Sequence, residues 1–149
     1  TRPRDYSPQT LYSYICALLM PAETYVTAQR VRRLIDEEFD ELLKRVDVLI
    51  VPTVPFPVPT IEECRQGFVQ VDGKRLKRQD PRGPIDTLST IPFNVTGLPA
   101  LNVPCGFSDS GHPIGMQIAS GPFQEGIAFQ VAHAYERSAR WYTRRPHLP

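Results

Sequence analysis

An α/β layer structure follows from three features of the sequence: a long stretch with helical periodicity, short apolar runs of strand length, and proline- and glycine-rich joints between them. The expected helices cover about 8–20, 22–46, 85–97 and 125–140, and the expected strands about 47–51, 100–104 and 114–119. A length of 149 residues is the usual size of one domain. Three strands are few for a whole sheet, so the sheet is expected to be incomplete.

The helix over about 8–20 is followed by Pro21, which fits just ahead of the next one. There, Ala28, Val31, Ile35, Phe39, Leu42 and Val46 are spaced 3, 4, 4, 3 and 4, tracing one face of a long helix. Arg32 with Asp36 and Arg33 with Glu37 fall four apart on its outer, solvated face. "DVLIVP" is a continuous apolar, β-branched run too short for a helix, the pattern of a strand covered on both sides and lying inside a sheet.

"PTVPFPVPT" fixes φ at Pro52, Pro55, Pro57 and Pro59 and withholds their amide donors, so it reads as an extended connector. From Cys64 to Pro84 the chain turns polar, and Asp72-Gly73 in "VQVDGKRL" marks a hairpin. Arg65, Lys74, Arg75, Lys77, Arg78 and Arg82 face only Asp72 and Asp80 in this stretch. Without interleaved aromatics to stack on bases, it reads as a solvated insertion and not as a nucleic-acid surface.

"ALNVP" and "IGMQIAS" are two buried strands joined across "CGFSDSGHP", where Asp109, Ser110 and Gly111 supply turn chemistry. The last helix carries Ile127, Val131, Ala134, Tyr135 and Ser138 on the face expected to cover one side of the sheet.

Composition excludes several classes of function. Seventeen basic residues balance 16 acidic ones, so no global field draws the chain to nucleic acid or an anionic membrane. No apolar run approaches the roughly 20 residues of a membrane-spanning helix, and "TRPRDYSPQT" lacks the apolar core of a secretory signal. Cys16, Cys64 and Cys105 are odd in number and widely spaced, which argues against a disulfide framework or a zinc site and points to the cytoplasm. Thr at position 1 in place of Met, with 16 prolines, fits a chain that begins partway through a gene product.

None of the seven serines sits in a G-x-S-x-G turn or a glycine-serine run, so no nucleophile is presented beside backbone donors. "SDSG" at 108–111 reads as a turn. His112, His133 and His147 have no ligand spacing among themselves or with the cysteines, so no metal is expected. Cys105 reads as a small buried hydrophobe.

"PFNVTGLPALNVPCGFSDSGHPIGMQIASGPFQEGIAFQVAHAYE", preceded by "AQRVRRLIDEEFDELLKRVDVLIVPTVPFPVP", resembles the C-terminal third of an amidase signature family enzyme. The similarity runs from about Tyr12 to Arg145. It implies part of a mixed sheet covered by helices, and a hydrolase of carboxamides needing no cofactor. In that family a neutral lysine draws a proton through a bridging cis-serine while a second serine forms the acyl-enzyme. The triad belongs to the part that precedes the matched region, so the resemblance assigns no catalytic residue here. Lys44, Lys74 and Lys77 neighbour no candidate serine.

The resemblance also implies that residues 90–97 line an acyl-binding channel. Thr87, Thr90, Asn94 and Gly97 are spaced 3, 4 and 3, so on a short helix they share one face with Phe93 beside it. Pro92 fits if the helix enters near Thr90, and Gly97 is placed to end it. These five residues are the substrate-pocket candidates; the alternative is that they only shape a tight helix-to-strand connection.

The expected partners are a small amide, the missing N-terminal portion of the same protein and, through an uncovered seam along "DVLIVP" or "ALNVP", further copies of the chain. A non-catalytic binding or scaffold module of the same fold is one alternative. The A subunit of a glutamine-dependent tRNA amidotransferase is another; there the family pattern places an acidic residue where Thr87 stands, and Asp86 is one place off.

Overall fold

The computed structural model describes residues 2–80, 83–84 and 87–145. The chain divides into two compact units, Thr1–Glu38 and Phe39–Pro149.

In the first unit, α1 (Pro8–Leu18) carries Pro8 in its first turn, and the Ser7 hydroxyl accepts from the Thr10 amide at 3.2 Å. α2 (Ala22–Leu43) begins just after Pro21, whose carbonyl accepts from Thr24 N at 3.0 Å. The two ion pairs read from the sequence form here: Arg33 Nε donates to Glu37 Oε1 at 2.9 Å, and Arg32 Nε lies 3.9 Å from Asp36. On an exposed helix such pairs are worth about 0.2–0.5 kcal/mol each.

Both helices are shorter than the periodicity predicts. α1 stops at Leu18 and α2 at Leu43, so Val46, the last residue of the expected stripe, lies beyond the helix.

The second unit takes up the end of α2. Phe39 and Leu43, one turn apart, pack with Leu49 and Val51 against buried Phe93, Leu98 and Ala119. Phe39 and Phe93 meet edge to face, ring centroids 6.1 Å apart.

The chain continues through β1 (Val48–Pro52), α3 (Ile61–Gln66), β2 (Phe68–Val71), β3 (Lys74–Lys77), β4 (Gln79–Asp80), β5 (Gly83–Pro84), α4 (Ile91–Thr96), β6 (Ala100–Phe107), β7 (Pro113–Ser120) and α5 (Glu125–Ala139). The main sheet is antiparallel in the order β1-β7-β6, and β2-β3 and β4-β5 are separate two-stranded ribbons. Central β7 is the most buried strand: Ile118, opposite Ile50 on one side and Leu101 on the other, is fully buried. Burying such a side chain contributes about 1.5–3 kcal/mol.

Three expectations change. β1 is an edge strand, with Ile50 56% exposed, where the run "DVLIVP" predicts an interior one; among the described residues nothing pairs with its outer edge. The helix expected over 85–97 is only α4, because the chain turns through 87–90 and Pro92 is tolerated only in a first turn; positions 85 and 86 lie outside the described residues. The buried face of α5 is Ala128 and Ala132 with Val131 and Tyr135, while Ala134 and Ser138 are exposed. Alanine at these two positions lets the helix backbone approach Val103 and Ile118 closely, a preference that side-chain size hides in the sequence.

Two turns form as their residues predict. Asp72 and Gly73 both take positive φ, 48° and 73°, as a two-residue hairpin between twisted strands requires. Gly97, at φ 73°, caps α4 and donates to Phe93 O at 2.9 Å.

Candidate functional site

The face predicted to line a pocket is divided by α4. Phe93 turns into the core and is 6% exposed. Thr87, Thr90 and Asn94 are brought together on the other side as a hydrogen-bonded string: Asn94 Nδ2 donates to Thr90 O at 3.0 Å, and Thr90 Oγ1 donates to Thr87 O at 3.1 Å. Asn94 and Gly97 are exposed, Thr87 and Thr90 half-buried. The turn before α4 is fixed to the central strand by buried Gln117, whose Nε2 donates to Ser89 O at 3.2 Å. Asp86, the acidic neighbour of Thr87, lies outside the described residues.

A concavity opens elsewhere, at the hairpin end of the sheet, with a volume of about 520 Å³. The proline-rich connector forms one wall through Val54, Phe56, Pro57 and Val58, and the β6–β7 hairpin forms the other through Ser108, His112 and Ile114. Half-buried Arg78 completes the lining, and its amide donates to Gly67 O at 2.9 Å. None of the α4 residues belongs to this cavity.

Sequence reading missed this cavity, although both walls carried a signal. Four prolines hold the connector extended, and "SDSGH" is more than a turn. Ser108 Oγ lies 2.9 Å from Ser110 Oγ, Ser110 Oγ lies 2.9 Å from His112 Nδ1, and the His112 amide returns to Ser108 Oγ at 3.1 Å. The loop closes through Ser108 N to His112 O at 2.9 Å, and Gly111 takes φ 82° in it.

Among the described residues no lysine is placed to serve as a general base. Lys44 Nζ donates to Glu41 Oε1 at 2.5 Å, and that hydrogen bond, with the carboxylate's charge, raises the ammonium above the ordinary lysine range. A base must be neutral, and this pairing favours the charged form. Lys74 and Lys77 stand exposed on β3. Among the described residues no group of three or more His, Cys, Asp or Glu is placed to hold a metal ion, and no helix is long and apolar enough to cross a membrane.

Against known proteins, the model of the family described as Amidase matches residues 15–127. The chain belongs to the amidase family. The A subunit of glutamyl-tRNA(Gln) amidotransferase from Gloeothece citriformis (strain PCC 7424) is 40% identical over 126 residues, covering 84% of this chain and 23% of that protein. Amidase-family structures align along the same path. A 6-aminohexanoate cyclic dimer hydrolase complexed with substrate superposes with a TM-score of 0.72 at 27% identity, over 96% of this chain and 30% of its own. The A subunit of glutamyl-tRNA(Gln) amidotransferase from Thermotoga maritima gives 0.62 at 30% identity, over 89% and 25%. The chain thus spans about a quarter of the length of the amidase-family relatives it matches.

Proposed function

We propose that this chain is the C-terminal portion of an enzyme that hydrolyses carboxamide C–N bonds, with the Ser/cis-Ser/Lys triad in sequence that precedes it. The observation that carries the reading is the family match over residues 15–127 in a chain whose serines and lysines form no catalytic pair among the described residues. In this reading the chain supplies core and a pocket wall. The exposed Asn94 amide and the Thr90–Thr87 string behind it face the acyl group, and Phe93 supports them from within the core.

A second reading is favoured by one observation, the 40% identity to amidotransferase A subunits: the complete protein releases ammonia from glutamine within a larger assembly. Thr87 in place of the acidic residue expected there supports the stand-alone amidase instead.

One experiment separates these readings. Hydrolysis of a short acyl amide, a long acyl amide and glutamine is measured for the 149-residue chain and for the full reading frame that contains it. The chain alone is expected to turn over none, and the full protein to prefer a simple amide. Turnover by the chain alone, abolished by a substitution within it, would overturn the proposal; glutamine preference in the full protein would select the amidotransferase.

A further inference from the structure

We propose that Phe123 and the first turn of α5 form a docking point for sequence that precedes this chain in the same polypeptide, an apolar pocket there receiving the Phe123 ring. The inference rests on the reading of this chain as a portion of a longer protein, and not on which amide that protein hydrolyses.

Two residues at this corner are unfavourable choices for the chain as it stands. Phe123 takes φ 60°, a left-handed backbone that a bulky residue adopts only under constraint, and it is 95% exposed. Glycine would suit the backbone and a polar residue the exposure. Gly126 is the reverse case. It lies in the first turn of α5, where glycine weakens a helix relative to alanine, yet among the described residues no neighbouring group stands within 4 Å of where a Cβ would be. A large ring strained outward and a small residue left open both suit a surface laid across them: the ring enters it, and the glycine lets it approach. Phe129, three residues after Gly126 on the same face and 60% exposed, extends the apolar patch.

The turn that carries the ring is held at both ends. Gln124 N donates to Gly121 O at 3.0 Å, and Ser120, fully buried at the end of β7, donates its hydroxyl to Gln124 O at 2.9 Å. Ser120 N in turn donates to Pro99 O at 3.1 Å, which ties the turn to the start of β6. An anchor fixed in this way loses little freedom on docking.

Area favours a segment of the same polypeptide over a second copy of the chain. A phenylalanine buries about 150–250 Å², whereas separate proteins associate stably over about 800 Å² per partner. A covalently joined segment avoids the entropy cost of bringing two molecules together, so a small contact suffices. In the amidase-family relatives most of the chain lies outside the stretch matched here, which is the length such an occupant needs.

Thermal melts of the protein encoded by the full reading frame test this. Phe123→Gly relieves the left-handed backbone and Gly126→Ala strengthens the helix, so on an open surface both raise the melting temperature. Under a docked segment both are expected to lower it, because one empties the pocket and the other blocks the approach. Hydroxyl-radical footprinting of the unsubstituted protein reads the same corner without any variant. Oxidation of Phe123, which follows the exposure of its ring, should be roughly tenfold or more slower in the native protein than in the urea-unfolded one, and unchanged by dilution. An unchanged or raised melting temperature for either variant, a smaller slowing of oxidation, or protection that falls on dilution would each overturn the inference. A longer protein that protects Phe123 but hydrolyses no amide would overturn the amide-hydrolase reading alone; a reading frame of the same 149 residues would overturn both.

Discussion

Thr53 and Asn102 reach each other across the central strand: the Thr53 hydroxyl donates to Asn102 Oδ1 over Gly115, although β7 separates the strands they extend from. A methyl group on Gly115 would stand 2.7 Å from Asn102 Oδ1 and 2.9 Å from Thr53 Oγ1, so the bridge exists because that position has no side chain. The backbone supports it, since Thr53 N donates to Gly115 O at 2.9 Å.

Gly115→Ala is expected to push the two side chains apart. An exposed neutral hydrogen bond contributes about 0.5–1.5 kcal/mol, so the melting temperature should fall by roughly 1–6 °C. Thr53→Ala should cost about the same, and the double variant little more than either, because the second change removes nothing that remains. Additive losses in thermal melts would show that the bridge contributes no stability.

Phe93→Ala should act first on stability. The ring is buried against Phe39, Leu98 and Ala119, and deleting such a side chain typically costs about 3–5 kcal/mol. Asn94→Ala, at an exposed position, should shift stability by no more than about 0.5 kcal/mol. If α4 faces the acyl group of a substrate, Asn94→Ala should nonetheless lower kcat/KM of the full-length enzyme by about 1–3 kcal/mol in transition-state terms, nearly uniformly across acyl chains. Unchanged kinetics with Asn94→Ala would make the segment scaffold.

The start of α3 should loosen in acid. Thr60 and Glu63 form a reciprocal capping box, Thr60 N donating to Glu63 Oε2 at 2.7 Å and Glu63 N to Thr60 Oγ1 at 3.2 Å. The Thr60 amide, and then its hydroxyl, hold the Glu63 carboxyl below the usual glutamate range. A lowered folded value means that this contribution is present above the ordinary glutamate range and is lost as pH falls through the folded value. Amide exchange at residues 60–63 should therefore accelerate in acid, and Glu63→Gln should flatten that dependence.

Tyr135 joins the last helix to the sheet, its hydroxyl donating to Cys105 O at 3.2 Å while accepting from Trp141 Nε1 at 3.2 Å. Tyr135→Phe removes both of these half-buried hydrogen bonds, at about 0.5–1.5 kcal/mol each. The chain has one tryptophan, packed edge-on to Phe107, so its fluorescence reports the change directly. A red-shifted emission with a lowered melting temperature is expected; an unmoved spectrum would mean that the ring contact alone holds Trp141.

By itself, the sequence determined the features whose causes lie within a few residues: the pairs Arg32–Asp36 and Arg33–Glu37, the Asp72-Gly73 hairpin, the Gly97 cap after an early Pro92, and the family pattern. Each depends on backbone φ or on neighbours one turn away. Tertiary structure decided what burial and long-range approach decide. "DVLIVP" reads as an interior strand, yet β1 is an edge, because an apolar run states what a strand can bury and not which neighbour arrives. Phe93 reads as the rim of a pocket, yet it is core, because α4 is short and its inward face meets Phe39. The cavity needs the connector after β1 and the hairpin after β6 to meet, and that meeting is fixed by the register of β7 between them, not by any local pattern. Thr53 and Asn102 are 49 residues apart in the chain; only the sheet makes them neighbours.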